Sequence, residues 1–151
     1  MLYDEESFVN SLTDFVISSL NKENSFLNNI GYRIIQDIVD TINKENNFES
    51  QGLKNVTKFL ITLSEKNTKV IYSNLSTLIT FYDSEFYIVR NTLSELIVNI
   101  IINILCRYDN IDEESKENYL KIKENFLKIL FERIYDKSSF CRSKTLQLFL
   151  R

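Results

Sequence analysis

Two short segments of the chain follow the same pattern, and this repetition constrains the fold more than any other feature. Residues 83–91 read DSEFYIVRN and residues 136–144 read DKSSFCRSK. Each segment places an aspartate first, then a short polar spacer, two hydrophobic residues and an arginine, and each opens an apolar helical run. A polar corner repeated between helices is typical of an α-solenoid, in which function lies on surfaces and not in a catalytic pocket.

The composition supports an all-helical chain. Among 151 residues there is no proline and there are only two glycines. Since β-sandwiches of this size use many tight turns that favour these residues, the sequence predicts an all-α fold. The length suits one domain with a sizeable core, and no linker rich in Pro, Gly or Ser divides it. We therefore expect a single helical domain over 1–151.

Apolar spacing predicts about seven helices in antiparallel pairs. Their expected ranges are about 4–20, 26–44, 52–66, 69–81, 86–107, 114–135, and a short helix that starts near Ser139. We expect hairpins of helices two with three, four with five and six with seven, with the first left over. The fourth and sixth starts lie about 45 residues apart, within the 40–47-residue period of HEAT and armadillo units.

The corner residues have a structural interpretation. We expect the carboxylates of Asp83 and Asp136 to accept hydrogen bonds from the first N–H groups of the following helix. Arg90 and Arg142 lie in the first turns of those helices, where each guanidinium can reach the aspartate of an adjacent unit. This polar ladder, with Asn91 completing the first corner, would fix the stacking angle. The alternative is that these charges bind a partner directly.

Several function classes are disfavoured by what the chain lacks. There is no histidine, which removes histidine bases, histidine metal ligands and the common nucleophile pairs. The two cysteines, Cys106 and Cys141, are too isolated for a zinc site and are interpreted as small hydrophobes in a reducing, intracellular compartment. We expect no enzyme activity, no catalytic or metal site and no cofactor.

An all-α enzyme with paired carboxylates remains an alternative. The candidate pairs are Asp37 with Asp40 and Glu113 with Glu117, which lie three or four residues apart on predicted helix faces. Such spacings are common on solvated helices, and no positioned nucleophile or base accompanies them. Solvated surface charge is therefore the favoured interpretation of all four residues.

Charge is distributed unevenly. Residues 1–118 hold 10 Lys/Arg and 18 Asp/Glu, whereas residues 119–151 hold 8 and 3. The basic end makes Lys137, Lys144 and Arg151 candidate phosphate contacts, with Arg142 expected to be occupied by the ladder. The alternative is that this charge drift carries no function.

We expect no membrane contact. The N-terminus, MLYDEES, is acidic where a signal peptide would be basic. The longest apolar run, residues 96–105, is shorter than a bilayer-spanning helix and contains two asparagines. It is predicted to form a buried core helix.

Residues 55–151 resemble the N-terminal domain of the condensin complex subunit 1 family. The similar motifs are FLITLSE at 59–65, SNLSTLI at 73–79, the first corner at 83–91, and LFERIYDKSSFCRSKTLQLF at 130–149. The chain departs from the family pattern at Ser84, where a glycine is usual, at Lys137 and Ser138, which replace Val-Asn, and at Cys141, which replaces valine. Residues 1–54 resemble the family only in the apolar spacing that predicts helices.

The resemblance implies a HEAT-repeat scaffold of condensin I, active in mitotic chromosome condensation. It implies kleisin and SMC subunits as partners, DNA or chromatin as a further partner, and a nuclear or chromosomal location with cytoplasm in interphase. It also implies a fragment of a longer solenoid, and no kleisin-binding residue carries over by position. The alternative is a HEAT adaptor of another system, such as a transport receptor or a phosphatase scaffold.

Overall fold

The computed structural model describes residues 5–20, 25–44, 51–106 and 113–151, and within these ranges every regular element is helical. The α-helices are α1 (Glu5–Leu20), α2 (Ser25–Lys44), α3 (Gln51–Lys66), α4 (Thr68–Ser73), α5 (Leu75–Leu78), α6 (Tyr87–Ile100), α7 (Glu113–Arg133) and α8 (Ser139–Leu148). A 3₁₀ helix spans Ile79–Asp83 and a π-helix spans Ile101–Leu105. The predicted all-α, solenoid-like fold is confirmed.

The helices form two layers. In the first layer α3 packs between α1 and α6, and α6 packs between α3 and α8. The other helices cover this layer: α2 packs on α1, α4 on α3 and α6, and α7 on α8 and the π-helix. Apart from the short α5, the α-helices therefore alternate between the layers along the chain, as in stacked helical repeats.

Helix α6 is the centre of the core. Val89, Leu93, Leu96, Ile97 and Ile100 are at most 1% exposed, so the helix is buried on several sides. This burial follows from its sequence, because an all-round apolar helix must be covered by more than one neighbour. Arg90 and Asn99 are also buried on this helix, and their polar groups therefore need partners.

By length and composition alone, the described residues hold one helix able to cross a membrane. It comprises the 19 residues Tyr87–Leu105 and so extends beyond the apolar run 96–105, which by itself is shorter than a membrane span. The apolar window is 67% buried inside the protein. Core helices of soluble proteins meet the same criteria, so this segment is weak evidence for membrane insertion.

The predicted fourth helix, 69–81, is broken at Asn74. The Asn74 side-chain amide donates to the Val70 carbonyl at 2.8 Å, while the Asn74 backbone N–H bonds to Ile71 instead, at 3.1 Å. The side chain thus takes the carbonyl that a continuous α-helix would give to the backbone. The chain continues as α5 and then narrows into the 3₁₀ helix that leads to the first corner.

The predicted fifth helix also changes form near its end. Its last described turn is the π-helix Ile101–Leu105, a geometry that often marks a local adjustment of side-chain direction. Here Asn103 donates to the Thr68 hydroxyl at 3.2 Å. The π-helix therefore links the end of the central helix to the start of α4. The predicted end at residue 107 lies outside the described residues.

Candidate functional site: a buried ion pair between two corners

The first corner leads into α6. The backbone N–H of Phe86, which precedes the helix, donates to Ser84 Oγ at 3.3 Å. Arg90 Nη1 folds back from the first turn and donates to the carbonyls of Ser84 at 2.7 Å and Glu85 at 3.0 Å. The arginine therefore ties the start of α6 to the loop that precedes it.

The second corner repeats this geometry before α8. The N–H of Ser138 donates to Asp136 Oδ1 at 2.8 Å. Arg142 Nη1 donates to the carbonyls of Asp136 at 2.8 Å and Lys137 at 3.3 Å. The offsets between arginine and acceptors are five and six residues in both corners. The two corners are thus the same structural motif used twice.

The residue of the first corner that corresponds to Asp136 is not the expected Asp83 but the next residue along the chain. By hydrogen bonding, the counterpart of Asp136 is Ser84, and the exposed Asp83 is the last residue of the 3₁₀ helix. A serine hydroxyl and an aspartate carboxylate can both accept the N–H two residues later, so either serves this turn. The sequence pattern aligned the two aspartates because they share a residue type, not a position.

An ion pair joins the two corners. Arg90 Nε and Nη2 donate to the two carboxylate oxygens of Asp136 at 2.8 and 2.7 Å, so the contact is bidentate. The Arg90 and Asp136 side chains are 3% and 1% exposed. Such a pair is directional and loses little to solvent screening, which lets it fix the position of α6 against the loop before α8.

A second arginine completes the environment of Asp136. Arg133 Nη1 donates to Asp136 Oδ2 at 2.7 Å. Its guanidinium carbon lies 3.9 Å from the centre of the Tyr82 ring, and Nη2 donates to the Tyr82 carbonyl. Arg133 therefore bridges the end of α7, the second corner and the segment before the first corner.

The protonation of this cluster follows from its contacts. Burial alone would raise the pKa of Asp136, but hydrogen bonds from Arg90, the Ser138 N–H and Arg133 outweigh it and hold the pKa far below its usual range. The hydrogen bond to Asp136 raises the pKa of Arg90. Asp136 is therefore ionised across the physiological range and serves as a fixed negative centre.

Two neighbouring groups are also perturbed. The Tyr82 hydroxyl donates to Glu132, and this bond, with burial, raises the pKa of Tyr82. Burial raises the pKa of the Cys141 thiol, which donates to the Tyr87 carbonyl at 3.4 Å. Cys141 thus packs as the predicted small hydrophobe, whereas Cys106 is exposed, so the same prediction is wrong for Cys106.

Arg142 does not act as predicted. It is exposed and bonds only to carbonyls of its own corner, and no described aspartate of an adjacent unit pairs with it. Within the described residues the ladder therefore has one rung, Arg90 with Asp136. The Asn91 side chain also takes no part in that rung, and its Oδ1 is buried without a hydrogen-bond partner.

The three candidate phosphate contacts all lie against carboxylates. Lys137 pairs with Glu85 at 2.9 Å, and Lys144 and Arg151 both pair with Glu95, at 2.8 and 3.4 Å. The first pair is exposed, whereas the Glu95 side chain is only 13% exposed. These contacts reduce the positive charge that the three side chains offer to phosphate.

Hydrogen bonds between polar side chains connect α3, α6 and the C-terminal Arg151. Arg151 Nη2 donates to Asn99 Oδ1 at 3.1 Å, and Asn99 Nδ2 donates to Ser64 Oγ at 2.7 Å. Asn99 and Ser64 are 2% and 0% exposed. Because buried polar groups that are fully paired specify one arrangement, this chain fixes the register of α3, α6 and the C-terminal residues.

Of the four carboxylates considered for catalysis, the three whose side chains the structure describes lie on solvated helix faces. Asp37 and Asp40 are exposed, and Asp40 accepts a hydrogen bond from Gln36 at 3.1 Å. Glu117 pairs with Lys121 one turn away, and the Glu113 side chain lies outside the described residues. In the described part of the chain, no group of three or more potential metal ligands was found.

Sequence reasoning assigned no role to four residues of the site. They are Tyr82, Ser84, Glu95 and Arg133. A signal existed for Arg133, because its spacing of three residues from Asp136 suits an ion pair at a helix end. Ser84 and Glu95 carry no comparable local signal, since their partners come from backbone geometry or from a distant helix.

The fold and the site together define a class: an all-α, solenoid-like protein in which two corners with the same hydrogen bonds are joined by a buried ion pair. The predicted resemblance to condensin complex subunit 1 is confirmed. The chain is 30% identical to that protein from Mus musculus over 118 residues and 29% identical to the one from Schizosaccharomyces pombe over 106 residues. It is 31% identical over 115 residues to condensin-1 complex subunit CAP-D2 from Arabidopsis thaliana.

These matches cover 70–78% of this chain. The chain in turn spans only 8–9% of the length of these curated relatives. No family model matches the chain. No solved structure matches it either. The chain is therefore similar to condensin complex subunit 1 over a limited segment of that protein.

Proposed function

We propose that this chain is a non-enzymatic scaffold segment in chromosome condensation, which binds other subunits of the condensin complex. The observation that carries the proposal is the similarity of three quarters of the chain to condensin complex subunits of an animal, a fungus and a plant. The solenoid-like packing supports it, because stacked helices present extended surfaces suited to binding other proteins.

The proposed partners are the kleisin and SMC subunits of condensin, and the proposed location is the nucleus and chromosomes. The buried ion pair would serve this role indirectly, by holding two repeats at one stacking angle so that their outer faces form one surface. DNA contact through Lys137, Lys144 and Arg151 is not part of the proposal, because each already pairs with a carboxylate.

Co-precipitation of the tagged chain from dividing cells tests the proposal. We expect SMC and kleisin subunits to be recovered with the unchanged chain. The variant Asp136→Asn should weaken recovery, because it loosens the stacking of the repeats while the exposed residues stay the same. Absence of both classes of subunit from the unchanged chain would contradict the scaffold function.

A further inference from the structure

A groove lies in the second layer of helices, between the α4–α5 segment and α7. It consists of two adjoining cavities of about 480 and 260 Å³, which share Tyr72 and Ile122 as lining residues. The larger cavity alone falls within the ~300–1,000 Å³ range of binding sites. This tyrosine groove takes its name from Tyr72 of α4 and Tyr119 of α7, which both line it.

The spacing of residues on α7 and the helix break at Asn74 shape the groove. On α7, Asn118, Ile122 and Asn125 recur at spacings of four and three residues, so they share one face of the helix. The other wall comes from residues on both sides of Asn74, where α4 ends and α5 begins. An interruption of regular geometry within a helix often marks a functional position. The groove therefore lies where the α4–α5 segment departs from a continuous helix.

The tyrosine groove is uncharged. Each of its lining residues in the described part of the chain is neutral. Glu117 and Lys121, which directly precede two lining residues on α7, pair with each other at 2.7 Å, so their charges offset one another. The chemistry of the groove therefore favours an uncharged occupant.

Aromatic rings and unpaired polar groups line the groove together. Tyr72 and Tyr119 are half-buried and pack against the core, so their rings are held in place while part of each stays accessible. Asn118 and Asn125 are exposed. The two hydroxyls and the two side-chain amides make no hydrogen bond to another described residue. These four groups can therefore donate hydrogen bonds to acceptors on a bound segment.

We infer that the tyrosine groove binds an uncharged, proline-rich segment of a protein partner in the polyproline II conformation. Proline rings of the segment would pack on the rings of Tyr72 and Tyr119 and on Ile122. Its backbone carbonyls have no internal hydrogen bonds in this conformation, so they would accept from the tyrosine hydroxyls and the asparagine amides. Aromatic grooves bind such segments at low entropic cost because the conformation is preformed.

Other occupants fit the groove less well. A helical segment offers few carbonyls, since those inside a helix are already bonded. A charged segment finds no counter-charge among the described lining residues. A nucleic acid lacks a partner for the same reason, because its phosphates are bound mainly by lysine and arginine.

The inference rests on the proposed scaffold function, for which it gives the chemistry of one partner segment. It is tested with the purified chain and a fluorescein-labelled dodecapeptide of the repeat Pro-Pro-Leu, read by fluorescence anisotropy. The control peptide has the same sequence in D-amino acids, so it has the same composition but the mirror-image helix. We expect the L-peptide to bind at least tenfold more tightly than the D-peptide, with less than a twofold change as salt rises to about 0.5 M. Equal binding of the two peptides would overturn the inference.

Removal of the tyrosine hydroxyls locates the site. Tyr72→Phe with Tyr119→Phe keeps both rings in the core packing and should weaken binding of the L-peptide at least fivefold, because two donors are lost. The matched control, Tyr87→Phe with Tyr135→Phe, removes two hydroxyls outside the groove and should change binding less than twofold. Equal binding by the two double variants would contradict the assigned site.

The α7 side of the groove has its own test. Asn125→Asp has nearly the same shape, but it replaces an amide donor with a carboxylate that repels the carbonyls of the segment. It should weaken binding of the L-peptide at least fivefold. Asn43→Asp makes the same change at an exposed position of α2 and should leave binding unchanged. If Asn125→Asp instead abolishes binding of a labelled DNA duplex and the peptide never binds, the groove is a nucleic-acid site and the inference is wrong.

Failure of the groove and failure of the scaffold function are distinguishable. The peptide titration decides the groove, whereas co-precipitation of the unchanged chain decides the scaffold function. If the L-peptide does not bind and condensin subunits are still recovered, the groove inference fails and the scaffold function stands. If no condensin subunit is recovered, the scaffold function fails, and the groove stands only if the L-peptide binds and both sets of variants behave as expected.

Discussion

Arg90 of α6 and Asp136 of the loop before α8 lie 46 residues apart in sequence and form a bidentate, almost fully buried ion pair. The pair connects two corners with the same backbone hydrogen bonds. Asp136 also accepts hydrogen bonds from Arg133 and from the Ser138 N–H. We therefore regard Asp136 as the residue that fixes the relative position of the two repeats.

Loss of the Asp136 charge should destabilise the protein strongly. Asp136→Asn leaves the buried Arg90 guanidinium without its counter-charge, and breaking a buried pair in this way costs about 3–5 kcal/mol. The measurement is the free energy of unfolding from urea titration, followed by circular dichroism. Glu85→Gln removes the charge from an exposed pair with Lys137 and should cause no measurable change.

The contribution of Asp136 should depend on pH in one direction. Its pKa is lowered on folding, so it adds stability that is present above the unfolded pKa of about 3.9 and is lost as pH falls towards the folded value. Urea titrations of the unchanged chain and Asp136→Asn between about pH 6 and pH 2.5 test this. The difference between them should shrink with acidity. A difference that stays constant would contradict the assigned pKa shift.

Ser84 and Asp83, which both precede α6 in the first corner, should contribute differently to stability. Ser84→Ala removes the acceptor of the Phe86 N–H and should cost about 0.5–1.5 kcal/mol. Asp83→Ala removes an exposed side chain and should change stability by less than about 0.5 kcal/mol. Thermal and urea unfolding of both variants compare them. A larger loss for Asp83→Ala would restore the equivalence of Asp83 with Asp136 that the sequence suggested.

The packing of α6 should be the most sensitive part of the core. Leu96 is 0% exposed, and Leu96→Ala should cost about 2–5 kcal/mol because it leaves a cavity between the layers. Leu150 is 89% exposed, and Leu150→Ala should stay within about 0.5 kcal/mol. Similar costs in a urea titration would show that α6 is not the central helix.

The sequence predicted the helices well where burial decides the structure. The apolar stripes gave the range of α3 and the start of α6 within about two residues, because residues such as Leu60 and Leu96 recur at the helical spacing that places them on a buried face. The break at Asn74 was missed, since it depends on one side chain that competes with the backbone for the Val70 carbonyl. No spacing rule reveals that competition.

The sequence predicted that the two corners share a motif, but not which of their residues correspond or which arginine forms the ion pair. The spacing of Arg90 and Arg142 placed both in first helical turns, yet only Arg90 has an aspartate of another repeat within reach in the described chain. Which arginine pairs depends on the stacking of α6 against α8, a tertiary property. The exchange of aspartate for Ser84 in the first corner was hidden because two different side chains accept the same hydrogen bond.

A double-mutant cycle on Arg90→Ala and Asp136→Ala, read as free energies of unfolding, tests the central claim most directly. The claim is that this pair holds two repeats together, so the two residues should couple by more than about 1.5 kcal/mol, as close buried charge pairs do. A coupling below about 0.5 kcal/mol would contradict it, since the two corners would then be held by the surrounding apolar packing alone.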